Sequence, residues 1–174
     1  MPNQITWLLV LAIFAAGCAV GTPMVHMERD FVPAAYQKVE ILTVTNDTGQ
    51  TYEFDVSEML TKNIKSQFKD KGCLLASHQE KDSVLMVKSS LTLYEPGSAF
   101  KRGLLPGYGA TRCTVKTSLI DKKTGKVIGE IVVPKTISEG GLYSIGADKR
   151  ILNVVAADIA QETIKQVSVQ AKEK

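Results

Sequence analysis

Three cysteines stand in this 174-residue sequence, each in a different setting. Cys18 closes an apolar run and follows Ala15, Ala16 and Gly17. Small residues leave the backbone open to a peptidase, and a thiol placed there is a nucleophile that can take up a lipid group. Cys73 and Cys113 head two stretches of strand character. In an oxidising compartment they could pair, closing a loop of about 40 residues worth roughly 4 kcal/mol in the chain-entropy model. Two separate buried thiols are the alternative. The histidines, His26 and His78, lie far apart, and Cys73 with His78 falls short of the three or four ligands that a zinc site needs, so no metal or cofactor is expected. Asp55, Glu58 and Glu139 find no partner in the sequence and read as solvated carboxylates. No Gly-x-Ser-x-Gly elbow occurs, so an enzyme is not the expected class.

Two glycine-rich connections offer another kind of chemistry, that of contact. Gly97 to Gly109 carries Lys101, Arg102, Leu104, Leu105 and Tyr108, and Gly140 to Gly146 carries Leu142 and Tyr143. A phosphate cradle needs backbone N–H groups at a helix N-terminus, whereas a strand follows the first of these loops. The sequence has neither a Gly-Lys-Ser/Thr ending nor a Gly-x-Gly-x-x-Gly fingerprint. Long connections with apolar residues serve as docking surfaces, or else as plain connections where glycine meets a backbone demand. The seven named side chains are the candidate partner-binding set.

The elements that would position these loops follow from periodicity. Lys38 to Thr45 is rich in β-branched residues and reads as a strand. Val56, Met59, Leu60, Ile64 and Phe68 recur at helical spacing over 56–71, with Asp55 or Ser57 to cap the start and Gly72 at the end. Cys73 to Ala76 is a short apolar strand. Ser83 to Tyr94 is a longer one, with Leu85, Val87, Ser89, Leu91 and Leu93 on one face. Thr111 to Asp121 alternates, placing Cys113, Val115, Thr117 and Leu119 inward. Asp121 to Lys126 turns the chain, and Val127 to Ile137 pairs back. Asp148 to about Gln170 is a second helix, with Ile151, Leu152, Val155, Ile159, Ile164 and Val167 as its stripe. The expected fold is α/β (α+β): two layers, a mixed five-stranded sheet in the order β-α-β-β-β-β-α, and both helices on one face.

Ahead of that domain, Ile5 to Ala16 (ITWLLVLAIFAA) has the length of an export-signal core. Extended to Val20 it reaches 16 residues, short of the ~18–20 that span a bilayer. No Lys, Arg, Asp or Glu precedes Glu28. Residues 1–17 are therefore expected to be a signal peptide, 18–37 a modified Cys18 with a flexible Pro23- and Pro33-containing tether, and 38–171 a single domain. With 44% hydrophobic and 22% charged residues the chain is globular in composition. A net charge of +3, with lysines and acids interspersed, argues against nucleic acid as a partner.

Ala15-Ala16-Gly17-Cys18 resembles the bacterial lipobox, although Leu is usual where Ala15 stands. That resemblance implies acylation of Cys18, a stable hold on the lipid bilayer, and, from Ala19 in place of Asp, sorting to the periplasmic face of the outer membrane. Glu95-Pro-Gly-Ser-Ala-Phe-Lys-Arg102, Gly107-Tyr-Gly-Ala110, Asp121 to Gly125 and Gly146-Ala-Asp148 together resemble a family of uncharacterised bacterial lipoproteins with a Gly-Ser…Arg…Gly-x-Gly-Ala loop, over about residues 38 to 168. It implies an envelope protein of similar α/β fold and no activity. A weaker likeness, in strand order only, is to periplasmic domains of envelope secretion and assembly lipoproteins. The expectation is a non-catalytic binding or assembly module whose partners are envelope proteins or copies of itself. The alternatives are a structural subunit of an oligomeric envelope complex, an envelope enzyme and an uncleaved signal anchor.

Overall fold

A computed structural model describes residues 19–29, 31, 36, 38–74, 84–98, 100–101, 109–138 and 146–167. Their order is β1 (Met24–Met27), β2 (Lys38–Ile41), β3 (Thr45–Asn46), α1 (Val56–Asp70), β4 (Val84–Glu95), β5 (Thr111–Asp121), β6 (Val127–Ile137) and α2 (Ala147–Val167). The strands form one mixed sheet in the order β1-β6-β5-β4-β2, and β3 also pairs with β4. β2 and β3 run parallel to β4, and the other pairings are antiparallel. α2 packs on β5 and β6, and α1 packs on α2, β2 and β3. This is the two-layer α+β architecture expected, with six strands rather than five.

The first helix begins and ends where local chemistry says it should. Asp55 Oδ1 accepts the Glu58 N–H at 2.8 Å, which satisfies one of the open donors of the first turn of α1. At the other end Gly72 adopts φ 69°, and the N–H groups of Gly72 and Cys73 donate to Lys69 O and Phe68 O. That double bond pattern is a Schellman stop, which needs a residue tolerant of the left-handed region. Leu60, Ile64 and Phe68 of α1 and Ile151, Leu152, Val155 and Ile159 of α2 are buried against Leu85, Val87, Leu91, Val115, Leu119, Ile131 and Val133 of the sheet.

The extra strand comes from the stretch expected to be a tether. Met24–Met27 pairs with Gly129–Val132, and Val20 exchanges two backbone hydrogen bonds with Thr136, both 2.8 Å. Val25 and Met27 pack against the core. The strand expected over Lys38 to Thr45 is broken in two. Between Ile41↔Val87 and Thr45↔Ser90 the chain spends one more residue than β4 does. The Val44 N–H turns to Thr61 Oγ1 of α1 instead of to the sheet. The strand expected at Cys73 to Ala76 reduces, among the described residues, to one bridge between Leu74 and Val39.

A bulge in β4 overturns one assignment. The register shifts between Leu91 and Leu93, so Thr92 is the extra residue. Leu93, expected inside, is 39% exposed, and Tyr94 takes the core position at 2%.

Of the two readings of Cys73 and Cys113, the structure has the separate thiols: both are free and buried, and no bridge joins them. Cys73 O accepts from Val39 N, Val39 is opposite Leu85, and Leu85 is opposite Asp121. Cys113 lies eight residues back along β5, about 27 Å away at strand spacing, whereas a disulfide needs Cα atoms within roughly 7 Å.

Candidate functional site

The ends of several elements converge on one edge of the molecule. Glu95 is opposite Arg112, Arg112 is opposite Thr136, and Thr136 is bridged to Val20. The chain therefore leaves β4 and β6 at the same end of the sheet, and Tyr94, one residue before Glu95, donates through its hydroxyl to Asp148 O at the start of α2 there. Gly97 and Gly109, both at positive φ, bring the two stems of the first loop together, and Ser98 N donates to Gly109 O at 2.9 Å. Gly146, at φ 73°, opens α2, and its carbonyl accepts from Lys149 N and Arg150 N.

An aromatic cleft occupies this end. The bulge that turns Tyr94 inward sets its ring 4.9 Å from Tyr52 and 6.3 Å from Phe54, both nearly perpendicular to it. Such edge-to-face contacts contribute about 1 kcal/mol each beyond burial. The Tyr94 hydroxyl donates to Asp148 O of α2 at 2.9 Å, and burial first, then the Asp148 carboxylate, push its pKa far up. The Tyr52 hydroxyl lies 2.8 Å from Thr48 Oγ1 and 3.2 Å from Tyr94 O. Lys149 places its ammonium 5.5 Å from the Phe54 ring centre, within cation–π range. Between these groups lies a cavity of about 450 Å³ lined by Tyr52, Phe54, Tyr94, Pro96, Gly97 and Asp148. A second, of about 590 Å³, shares Tyr52 and Phe54 with it and continues to Asn46 and Asp55. Aromatic rings, hydroxyls, an amide and carboxylates are groups suited to non-covalent recognition.

Of the candidate partner-binding residues, Lys101 is described: it is exposed, and its N–H donates to Ser98 Oγ at 3.3 Å. Arg102, Leu104, Leu105, Tyr108, Leu142 and Tyr143 lie outside the described residues, as do Cys18, His78 and Glu139. Asp55 caps α1 and lines the cleft, Glu58 pairs with Lys62 at 2.8 Å, and His26 sits exposed on β1 opposite Glu130. Among the described residues no cluster of three His, Cys, Asp or Glu groups could hold a metal, and no helix is long and apolar enough to cross a membrane.

The aromatic cluster was missed in the sequence. Tyr52 and Phe54 sit in a stretch with no period, and strict alternation assigns Tyr94 to the wet face. The one available signal was Tyr52-x-Phe54 immediately before the Asp55 cap.

The family described as Domain of unknown function (DUF4410) matches residues 29–141. The chain belongs to this family. The DUF4410 match spans β2 to β6 and both stems of the first glycine loop, and it starts after β1. No curated protein matches the chain. Among solved structures, the PelC dodecamer from Paraburkholderia phytofirmans is similar at TM-score 0.59 and 12% identity, covering 87% of this chain and 99% of that one. Protein XCC0632 from Xanthomonas campestris, of the DUF330 family, is similar at TM-score 0.53 and 13% identity, covering 84% and 93%. At such identities the likeness is one of fold, and fold alone does not transfer function.

Proposed function

We propose that this DUF4410 chain is a lipid-anchored module of the bacterial envelope that works by binding, held by an acylated Cys18 on the periplasmic face of the outer membrane. The observation that carries this reading is the uncharged apolar run that ends in Ala15-Ala16-Gly17-Cys18. Several acyl chains on one residue hold stably, at about 0.8 kcal/mol per buried CH₂, where a single chain holds only marginally. The partners are envelope proteins or further copies of the chain. Lys101, Arg102, Leu104, Leu105, Tyr108, Leu142 and Tyr143 form the contact set. The convergence of the stems at Gly97, Gly109 and Gly146 on one end of the sheet supports this set. Mass spectrometry of protein from its native host tests the anchor. Diacylglyceryl on Cys18 with the leader removed is expected, and Cys18→Ala should leave an unprocessed precursor. An unmodified Cys18 with the leader attached ends the reading. Site-specific photocrosslinkers at Leu105 and Tyr143 test the contact set, and absence of a specific adduct at both positions removes it.

A second reading is a structural subunit of an oligomeric envelope complex. It is favoured by the dodecamer formed by PelC on a similar fold. Sedimentation in detergent decides it: a monomer at every concentration removes this alternative.

A further inference from the structure

We propose that the end of the sheet bearing Val20 and Phe100 rests directly on the bilayer, so that the domain has no tether. The inference builds on the acylated Cys18 proposed above. Val20, bonded through both its N–H and C=O to Thr136, is the first of the described residues held by the sheet, and one residue separates it from Cys18. Lys135 Nζ locks the next residue by donating to Gly21 O at 2.6 Å, and Lys135 itself pairs with Asp158 of α2 at 2.7 Å.

Reach decides the geometry. A flexible tether running to Gln37 would let the domain stand off by about 25 Å root-mean-square. With consecutive Cα atoms 3.8 Å apart, Val20 stays within about 7.6 Å of Cys18. The polar headgroup layer is about 5–7 Å thick on each side of the hydrocarbon, so an acylated Cys18 draws Val20 into or onto that layer.

The side chains at this end suit such a place. Val20 is 71% exposed and Phe100 77%, the two most exposed large apolar residues described. Val20 belongs to the terminal row that crosses the sheet to Glu95, and Phe100 follows Glu95 by five residues. Lys101, next to Phe100, is a cation suited to lipid phosphates. An apolar side chain pressed on the headgroup boundary beside a cation is the chemistry of interfacial contact.

The sole tryptophan, Trp7, lies in the leader, so a tryptophan introduced into the processed protein reports alone. Val20→Trp and Phe100→Trp, made in the full chain and purified after processing, would be reconstituted in phosphatidylethanolamine–phosphatidylglycerol vesicles with brominated acyl chains. Lys65→Trp, on the exposed face of α1, is the reference. Both substituted positions are exposed, so neither change disturbs the core. Blue-shifted emission and quenching roughly twofold or more above the reference are expected at both positions. Mass spectrometry of the same preparations separates the outcomes. A lipidated Cys18 with reporters no more quenched than Lys65→Trp overturns the seating and leaves the anchor standing. An unmodified Cys18 overturns both.

Discussion

At the scale of single residues, Lys135, the one buried charged side chain among the described residues, ties three elements together. Lys135 alternates with Val133 and Ile137 and so points into the helix layer, with 9% of its side chain exposed. It neutralises Asp158 of α2 and holds the Gly21 carbonyl. Lys135→Met would leave Asp158 half-desolvated without its partner and cut the clamp on the segment before β1. Asp158 keeps 23% exposure, so the expected loss is roughly 1–3 kcal/mol rather than the 3–5 of a fully buried pair, read from urea denaturation. Cys113 gives a pH dependence of definite sign. Burial raises its thiol pKa to about 12, against about 8.5 in an unfolded chain. The folded state disfavours the thiolate, so this contribution to stability is complete below pH ~8.5 and is lost as pH rises from there towards the folded value. Chemical denaturation across that range should show a decline that Cys113→Ala makes shallower, the rest belonging to Cys73, Tyr36 and Tyr94, whose pKa values burial also raises. Asp121 has the opposite sense. Burial opposes ionisation, but hydrogen bonds from Thr124, Tyr36 and the Lys123 N–H outweigh it and hold the carboxyl below its usual range.

At the scale of elements, two glycines at positive φ separate backbone preference from contact. Gly72, ending α1, has open space where a Cβ would go. Gly72→Ala should cost about 1 kcal/mol, the left-handed penalty alone. At Gly21 a Cβ would stand 2.1 Å from Pro134 O, a backbone atom that cannot yield. Gly21→Ala should therefore release Val20 and Gly21 from β6, costing roughly 1–3 kcal/mol in hydrogen bonds and contacts. Amide hydrogen exchange would locate the loss at Val20 and Thr136 in that variant and leave those amides protected in Gly72→Ala. The same elements show what the sequence could disclose. α1, α2, β5 and the Asp121 turn were legible because their period or turn chemistry is local: Asp121 Oδ1 accepts from Thr124, and Gly125 takes φ 70°. The β4 bulge was hidden because one extra residue leaves composition unchanged while it exchanges Leu93 for Tyr94 in the core. The break between β2 and β3 was hidden because its cause, the bond from Val44 N to Thr61 Oγ1, comes from a helix 17 residues away. The aromatic site fell with the bulge, since Tyr94 is its centre.

At the scale of the whole molecule, the domain boundary is itself a physical claim. Prolines and the lack of a period in 19–37 favoured a linker, yet four residues were enough to make β1, because β6 offered an edge. An 11-residue strand such as β6, left uncovered, presents a row of unpaired N–H and C=O groups, the template on which chains associate. β1 covers part of that edge, and its Val25 and Met27 extend the apolar layer beneath α2. A chain starting at Lys38, where periodicity alone would begin the domain, should thus fall short of one starting at Ala19 on two counts. Burial of Val25 and Met27 is worth roughly 2–4 kcal/mol, a fall in Tm of about 10 °C for a domain of this size. The bared β6 edge should also make the shorter chain associate with rising concentration, while the longer one does not pair through that edge. Thermal melts and sedimentation of the two chains side by side test both counts. Equal Tm values would return 19–37 to the status of a linker, and with it the distance between the domain and its membrane.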